Sequence, residues 1–288
     1  MELSAKEKQR TMRNLVIFAI VVLGCGFVGI ALDRFSPPPT PMQGLGALVW
    51  LVSPLAVHLI LRAVGGDGWK DFGLLPNLRA GWTWYLVALF LAPLVTLVTL
   101  VLGAVSGAIS LSGFASQGLG AYLPLVGGVL MAVLVKNIFE EFAWRGYLTP
   151  RFEALKLHPI ASAILTGFIW AGWHVPYYLY FLDRAELQAH TSLSVPAFIL
   201  VAFIVLPFHA LAYGELRLVS KTTWSTWLLH NVANAISLPL LSSGFVTLAG
   251  GYTGVLLSPG TEGILYSLLT GLVGFGLYRY HMSKLTQE

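Results

Sequence analysis

The stretch Ala121–Leu148, AYLPLVGGVLMAVLVKNIFEEFAWRGYL, decides the fold. From Ala121 to Val135 it is uncharged and strongly apolar, and with the turns that follow it exceeds the roughly 20 residues that a helix needs to cross a bilayer. The same run then takes up Lys136, Glu140, Glu141 and Arg145. Ionisable groups at membrane depth are expensive and mark functional candidates.

Outward from this stretch the chain repeats the apolar half of the pattern. Hydrophobic residues are 56% of the 288 positions and charged ones 10%, which excludes a soluble domain with a charged surface. Spans are expected at 14–33, 44–63, 81–105, 121–148, 159–181, 193–213, 223–242 and 261–280, the seventh diluted by Asn231, Asn234 and Ser237. The expected fold is all-α, a polytopic membrane bundle of about eight transmembrane helices. Residues 1–288 are expected to form one integral membrane domain, with its functional core at approximately 121–242. No internal repeat or low-complexity tract divides it.

Lys and Arg set the orientation, because cytoplasmic loops carry their excess. Lys6, Lys8, Arg10 and Arg13 precede the first span; Arg62, Lys70 and Arg79 lie in the second connection, Arg151 and Lys156 in the fourth, Arg217 and Lys221 in the sixth, and Arg279 and Lys284 in the tail. The intervening connections hold Arg34 and Arg184. Both termini are therefore expected in the cytoplasm, with the protein in the plasma (inner) membrane of a prokaryote. The net charge of +4 belongs to these loops, and no basic face interleaved with aromatics suggests nucleic acid. The first span reads as an anchor rather than a removed signal peptide. Cys25, within it, excludes an intrachain disulfide, and the faint lipoprotein-like box Val22–Cys25 is discounted because seven spans follow.

Six intramembrane groups carry the chemistry. Glu141 and Arg145, at i and i+4, meet on one helix face and read as a structural pair. Glu140 is turned about 100° away, with Lys136 one turn behind it; a Lys136–Glu140 ion pair is the competing, purely structural reading. His230 and Asn234 project from one side of the seventh span, while Asn231 reads as a packing amide. At about 1.5 Å per residue, Glu140, His174 and His230 fall about 14–24 Å from the cytoplasmic ends of their helices. His58 and His209 lack polar neighbours at helical spacing and read as structural; His158, His190 and His281 read as solvated.

A glutamate and a histidine on one water can take its proton, while a second histidine and an amide stabilise the oxygen that turns negative as that water attacks a carbonyl. Glu140 is assigned as general base, His174 as its partner, and His230 with Asn234 as oxyanion donors. Glu141 and Arg145 orient Glu140 from behind. The same Glu140, His174 and His230 could instead ligate zinc with an open fourth position, although no His-Glu-x-x-His is present. Cofactor use stays open between none and zinc. Serine and aspartyl routes lack their motifs, a Gly-x-Ser-x-Gly elbow and an intramembrane Asp pair.

Glu140-Glu141-x-x-x-Arg145-Gly146, Trp170-x-x-x-His174 and His230-x-x-x-Asn234, in this order on three spans, resemble the type II CAAX prenyl endopeptidase family, the CAAX-protease and bacteriocin-processing group. Trp170 stands where that family more often has Phe. The resemblance implies a hydrolase, an intramembrane endopeptidase of glutamate or metalloprotease type, with Glu140, His174, His230 and Asn234 as its catalytic set. Together with depth and orientation it implies a polypeptide substrate entering from the cytoplasmic side, with or without a lipid lying between helices, and membrane lipid as the other partner. The alternative from another class is a non-enzymatic membrane protein, a transporter or a toxin-immunity protein, though a transporter would often show related halves.

Overall fold

In the computed structural model, which describes residues 3–286, helices form at all eight places where the hydropathy pattern asks for one. In chain order the helices are α1 (Ala5–Phe35), α2 (Leu45–Ala63), α3 (Leu78–Val105), α4 (Ser112–Ala143), α5 (Thr149–Ala154), α6 (Pro159–Pro176), α7 (Arg184–His190), α8 (Val195–Ser220), α9 (Trp224–Ser242), α10 (Gly251–Leu256) and α11 (Ile264–Leu285). Two-residue strands β1 (Ile109–Ser110) and β2 (Thr247–Leu248) pair antiparallel. The chain is a polytopic helical bundle. Among the described residues, five helices are long and apolar enough to cross a membrane: Ala5–Phe35, Leu45–Ala63, Gly81–Val105, Ser112–Ala154 and Val195–Ser220. The other three long helices, α6, α9 and α11, fall short of that apolarity. Two of them carry His174, His230 and Asn234, so the polar groups themselves dilute the signal. α4 begins well before the expected 121 and kinks at Gly118, whose φ of 76° suits glycine.

Successive long helices run in opposite directions, so their connections collect at two ends. At the basic end, Asn77 Nδ2 donates to Ser220 O at 2.9 Å and Thr223 N to Gly73 O at 3.0 Å. At the opposite end, the β1–β2 pair joins the α3–α4 and α9–α10 connections, and Gly251 N donates to Ser192 Oγ at 2.6 Å.

Three of the basic-end arginines are not solvated. Arg62, Arg151 and Arg217 are buried. Arg62 pairs with Asp71 at 2.7 Å, Arg151 pairs with Asp71, and Arg217 Nη2 donates to Asp71 O at 2.7 Å. Tyr147 donates to Asp67 at 2.7 Å. The α2–α3 connection is thereby drawn under the bundle as a charged plug. Burying these cations demands partners, and the plug provides them.

Small residues let backbones close in. A Cβ on Gly29 of α1 would collide with the Gly46 carbonyl of α2, and one on Gly167 of α6 with Pro207 of α8. Aromatic side chains fix α2 against α6: Trp50 and Trp173 stack at 4.2 Å between centroids, and each indole donates to the other's backbone carbonyl, at 2.8 and 3.1 Å. The first of these bonds has a local cause. Past Pro176, Tyr177 N reaches His174 O, which releases Trp173 O for the Trp50 indole. Two π-helical turns, Trp144–Leu148 and Tyr177–Phe181, follow α4 and α6, two of the three site-bearing helices. Such turns are frequent at functional sites. Gly146 O, in the first, accepts from Arg62 Nη2 at 2.6 Å.

Candidate active site

α4, α6 and α9 bring Glu140, His174, His230 and Asn234 to the wall of one cavity of about 300 Å³. Glu140 is 1% exposed. Its Oε1 accepts from Lys136 Nζ and its Oε2 from Trp170 Nε1 at 3.0 Å. The Lys136–Glu140 ion pair weighed as a structural alternative is thus present, and it coexists with the meeting of the three helices. Each carboxylate oxygen has two lone-pair sites, so the two donors leave Glu140 able to accept from a third group in the cavity.

The partners of the imidazoles fix their tautomers. His174 Nδ1 faces Trp170 O at 2.9 Å, a carbonyl that can only accept, so Nδ1 carries the proton and Nε2 presents a lone pair. His230 Nδ1 faces Glu141 Oε1 at 2.9 Å and likewise donates. Glu141, fully buried, accepts from Arg145 Nη1 at 2.9 Å with the same oxygen. The expected Glu141–Arg145 pair is there, but Glu141 supports His230 rather than Glu140, because the two neighbouring carboxylates point to different helices. Arg145 lies over Trp170 at 4.4 Å and over Tyr213 at 4.6 Å, rings that shield its charge in the apolar interior.

Asn234 Nδ2 donates to Asn137 Oδ1 at 3.4 Å, and Lys136 Nζ reaches the same oxygen at 3.2 Å. Asn137 Nδ2 donates to Asn231 Oδ1 at 3.1 Å, and Asn231 Nδ2 to Trp227 O at 2.7 Å. Asn231 is the packing amide its position suggested. Helical spacing carries no signal for two polar groups of the site, Asn137, one turn before Glu141, and the Trp170 N–H. The Trp-for-Phe departure was the available signal, since only Trp brings a donor.

His58 stacks on Tyr147 away from the cavity. His209 lines the cavity but donates Nε2–H to Thr261 O at 2.9 Å, pinning the connection before α11 to α8. His281 departs from expectation, bonding Glu215 at 3.0 Å beside a second cavity of about 400 Å³ at the basic end, remote from Glu140. The three residues proposed as zinc ligands share a wall without converging: among the described residues, no three His, Cys, Asp or Glu side chains are grouped to hold a metal ion.

The cavity wall takes in Met42, Glu186, Thr261 and Glu262, all from connections at the end opposite the basic loops, and, among the described residues, none from the basic-end connections. Depth counted along a helix cannot tell which end is open; here the plug of Arg62, Asp67, Asp71 and Arg151 occupies the basic end.

No curated protein matches the chain. Residues 122–236, about two-fifths of the chain and the part that carries Glu140, Glu141, Arg145, His174, His230 and Asn234, match the family model described as Type II CAAX prenyl endopeptidase Rce1-like, which implies a membrane-embedded peptidase acting on a polypeptide.

Proposed function

We propose that the protein is an intramembrane endopeptidase in which Glu140 and His174 activate a water molecule and His230 and Asn234 stabilise the oxyanion. The observation that carries this reading is the single cavity shared by these four side chains from three helices. Glu140, held by Lys136 and Trp170, and the Nε2 lone pair of His174 face the place where a water would sit. The water oxygen attacks the carbonyl carbon and its proton passes to Glu140. The carbonyl oxygen becomes negative beside Asn234 Nδ2, which has one N–H beyond its bond to Asn137, and beside His230, which Glu141 holds through Nδ1. As the C–N bond breaks, the proton held at Glu140 passes to the leaving amine. These steps use the chain's own residues and need no metal.

The substrate is a prenylated CAAX-type tail or a small peptide or leader. The setting is the plasma (inner) membrane of a prokaryote, with both termini cytoplasmic and lipid around the bundle. The test is a purified-protein assay on a peptide pool read by mass spectrometry. Glu140→Ala, inserted normally, is expected to cleave nothing. Cell-level function retained in that variant would instead favour a binding role, as in an immunity protein or transporter.

A further inference from the structure

The wall of the Glu140 cavity carries three carboxylates, Glu140, Glu186 and Glu262, against one ammonium, Lys136. Lys136 is committed to Glu140. Glu262 accepts from Thr261 Oγ1 at 3.1 Å, and among the described residues neither Glu262 nor Glu186 has a cation within ion-pair distance. Arg184, on the same short helix as Glu186, donates to Leu179 O at 3.1 Å and does not line the cavity.

Glu262 is also presented on a fixed turn. Thr261 O accepts from His209 and from Ser267 Oγ, at 2.9 and 3.2 Å, and Gly263 N donates to Gly260 O at 2.9 Å. In the same cavity, His230 is 6% exposed, and among the described residues its Nε2 has no hydrogen-bond partner. Two carboxylates without counter-ions, Glu186 and Glu262, therefore line the cavity that reaches the His230 Nε2. A narrow mouth of one sign with apolar walls focuses its field on an approaching ligand of the opposite sign.

We propose that Glu262 and Glu186 select polypeptide substrates bearing a lysine or arginine near the scissile bond. The proposal rests on the peptidase reading above and names the substrate class of that site. The cationic side chain pairs with Glu262 on its fixed turn, with Glu186 beyond it, while the adjoining backbone lies against Tyr177 and Tyr178 towards Glu140.

The test uses the full-length protein in lipid nanodiscs and three quenched-fluorescent peptide pools, identical except for Lys, Gln or Glu at the positions flanking the centre. Wild type is expected to cleave the Lys pool with kcat/KM about five- to tenfold above the Gln pool, the range of a partly screened charge-assisted contact, with the Glu pool slowest. In Glu186→Gln/Glu262→Gln that ratio falls towards one, and Glu262→Lys reverses it, each variant first checked for an unchanged melting temperature. Equal rates in wild type, or a ratio that survives the double substitution, overturn the proposal. Anisotropy titrations with the labelled pools separate it from the peptidase reading. If nothing is cleaved but wild type binds the Lys pool more tightly and the double variant does not, charge selection stands and peptidase activity fails. If binding also shows no preference, both fail.

Discussion

Replacing Trp170 with phenylalanine removes one N–H and leaves a ring in place. The indole donates to Glu140 Oε2 at 3.0 Å, while its face carries Arg145 at 4.4 Å. A hydrogen bond to a charged group contributes about 1.5–3 kcal/mol. Lys136 still holds the other carboxylate oxygen in the variant, so the lower figure applies, and at about 1.4 kcal/mol per decade it corresponds to roughly a tenfold fall in kcat. The phenyl ring keeps most of the apolar packing and the stacking under Arg145, so KM and melting temperature are expected to move little. The assay is steady-state cleavage of a peptide identified from the pool, with thermal unfolding of the same samples. An unchanged kcat would refute the assignment of the indole as the group that positions Glu140. A large loss of melting temperature would show that Trp170 acts through packing instead.

Glu141→Gln leaves Arg145 buried without its counter-ion, a loss of about 3–5 kcal/mol, and should lower the apparent melting temperature by roughly 6–10 °C; a shift within one degree would contradict the buried pair. His281, beyond the eighth expected span, has its pKa raised above the usual histidine value, first by its hydrogen bond to Glu215 and against the opposing effect of burial. A raised folded pKa contributes stability that is complete below about pH 6.5 and is lost as pH rises through the folded value. Melting temperature should therefore fall across that interval, and His281→Asn should flatten the fall. Glu262→Cys should react with a membrane-impermeant maleimide added outside intact cells, since native Cys25 is buried; labelling only in inside-out vesicles would reverse the proposed orientation.

The helices were legible because lipid demands long apolar runs, and the order of the three motifs was legible because i and i+4 neighbours share a face. Contacts between helices were not. Glu141 shows Arg145 as a partner through local spacing, whereas His230 lies 89 residues away on α9 and no local rule links them. The same limit hid the Trp170–Glu140 bond and the amide chain through Asn137. Arg62, Arg151 and Arg217 read as solvated loop charges because their partners, Asp67 and Asp71, sit in a connection whose fold periodicity does not describe.

The central claim is that Glu140 activates the attacking water without help from a metal ion. The most direct measurement compares peptide cleavage by purified wild type and Glu140→Gln, each with and without a strong chelator. Wild type is expected to cleave whether or not the chelator is present, and Glu140→Gln, folded to the same extent, is expected not to cleave. Cleavage abolished by the chelator and restored by zinc, or full activity in Glu140→Gln, would contradict it.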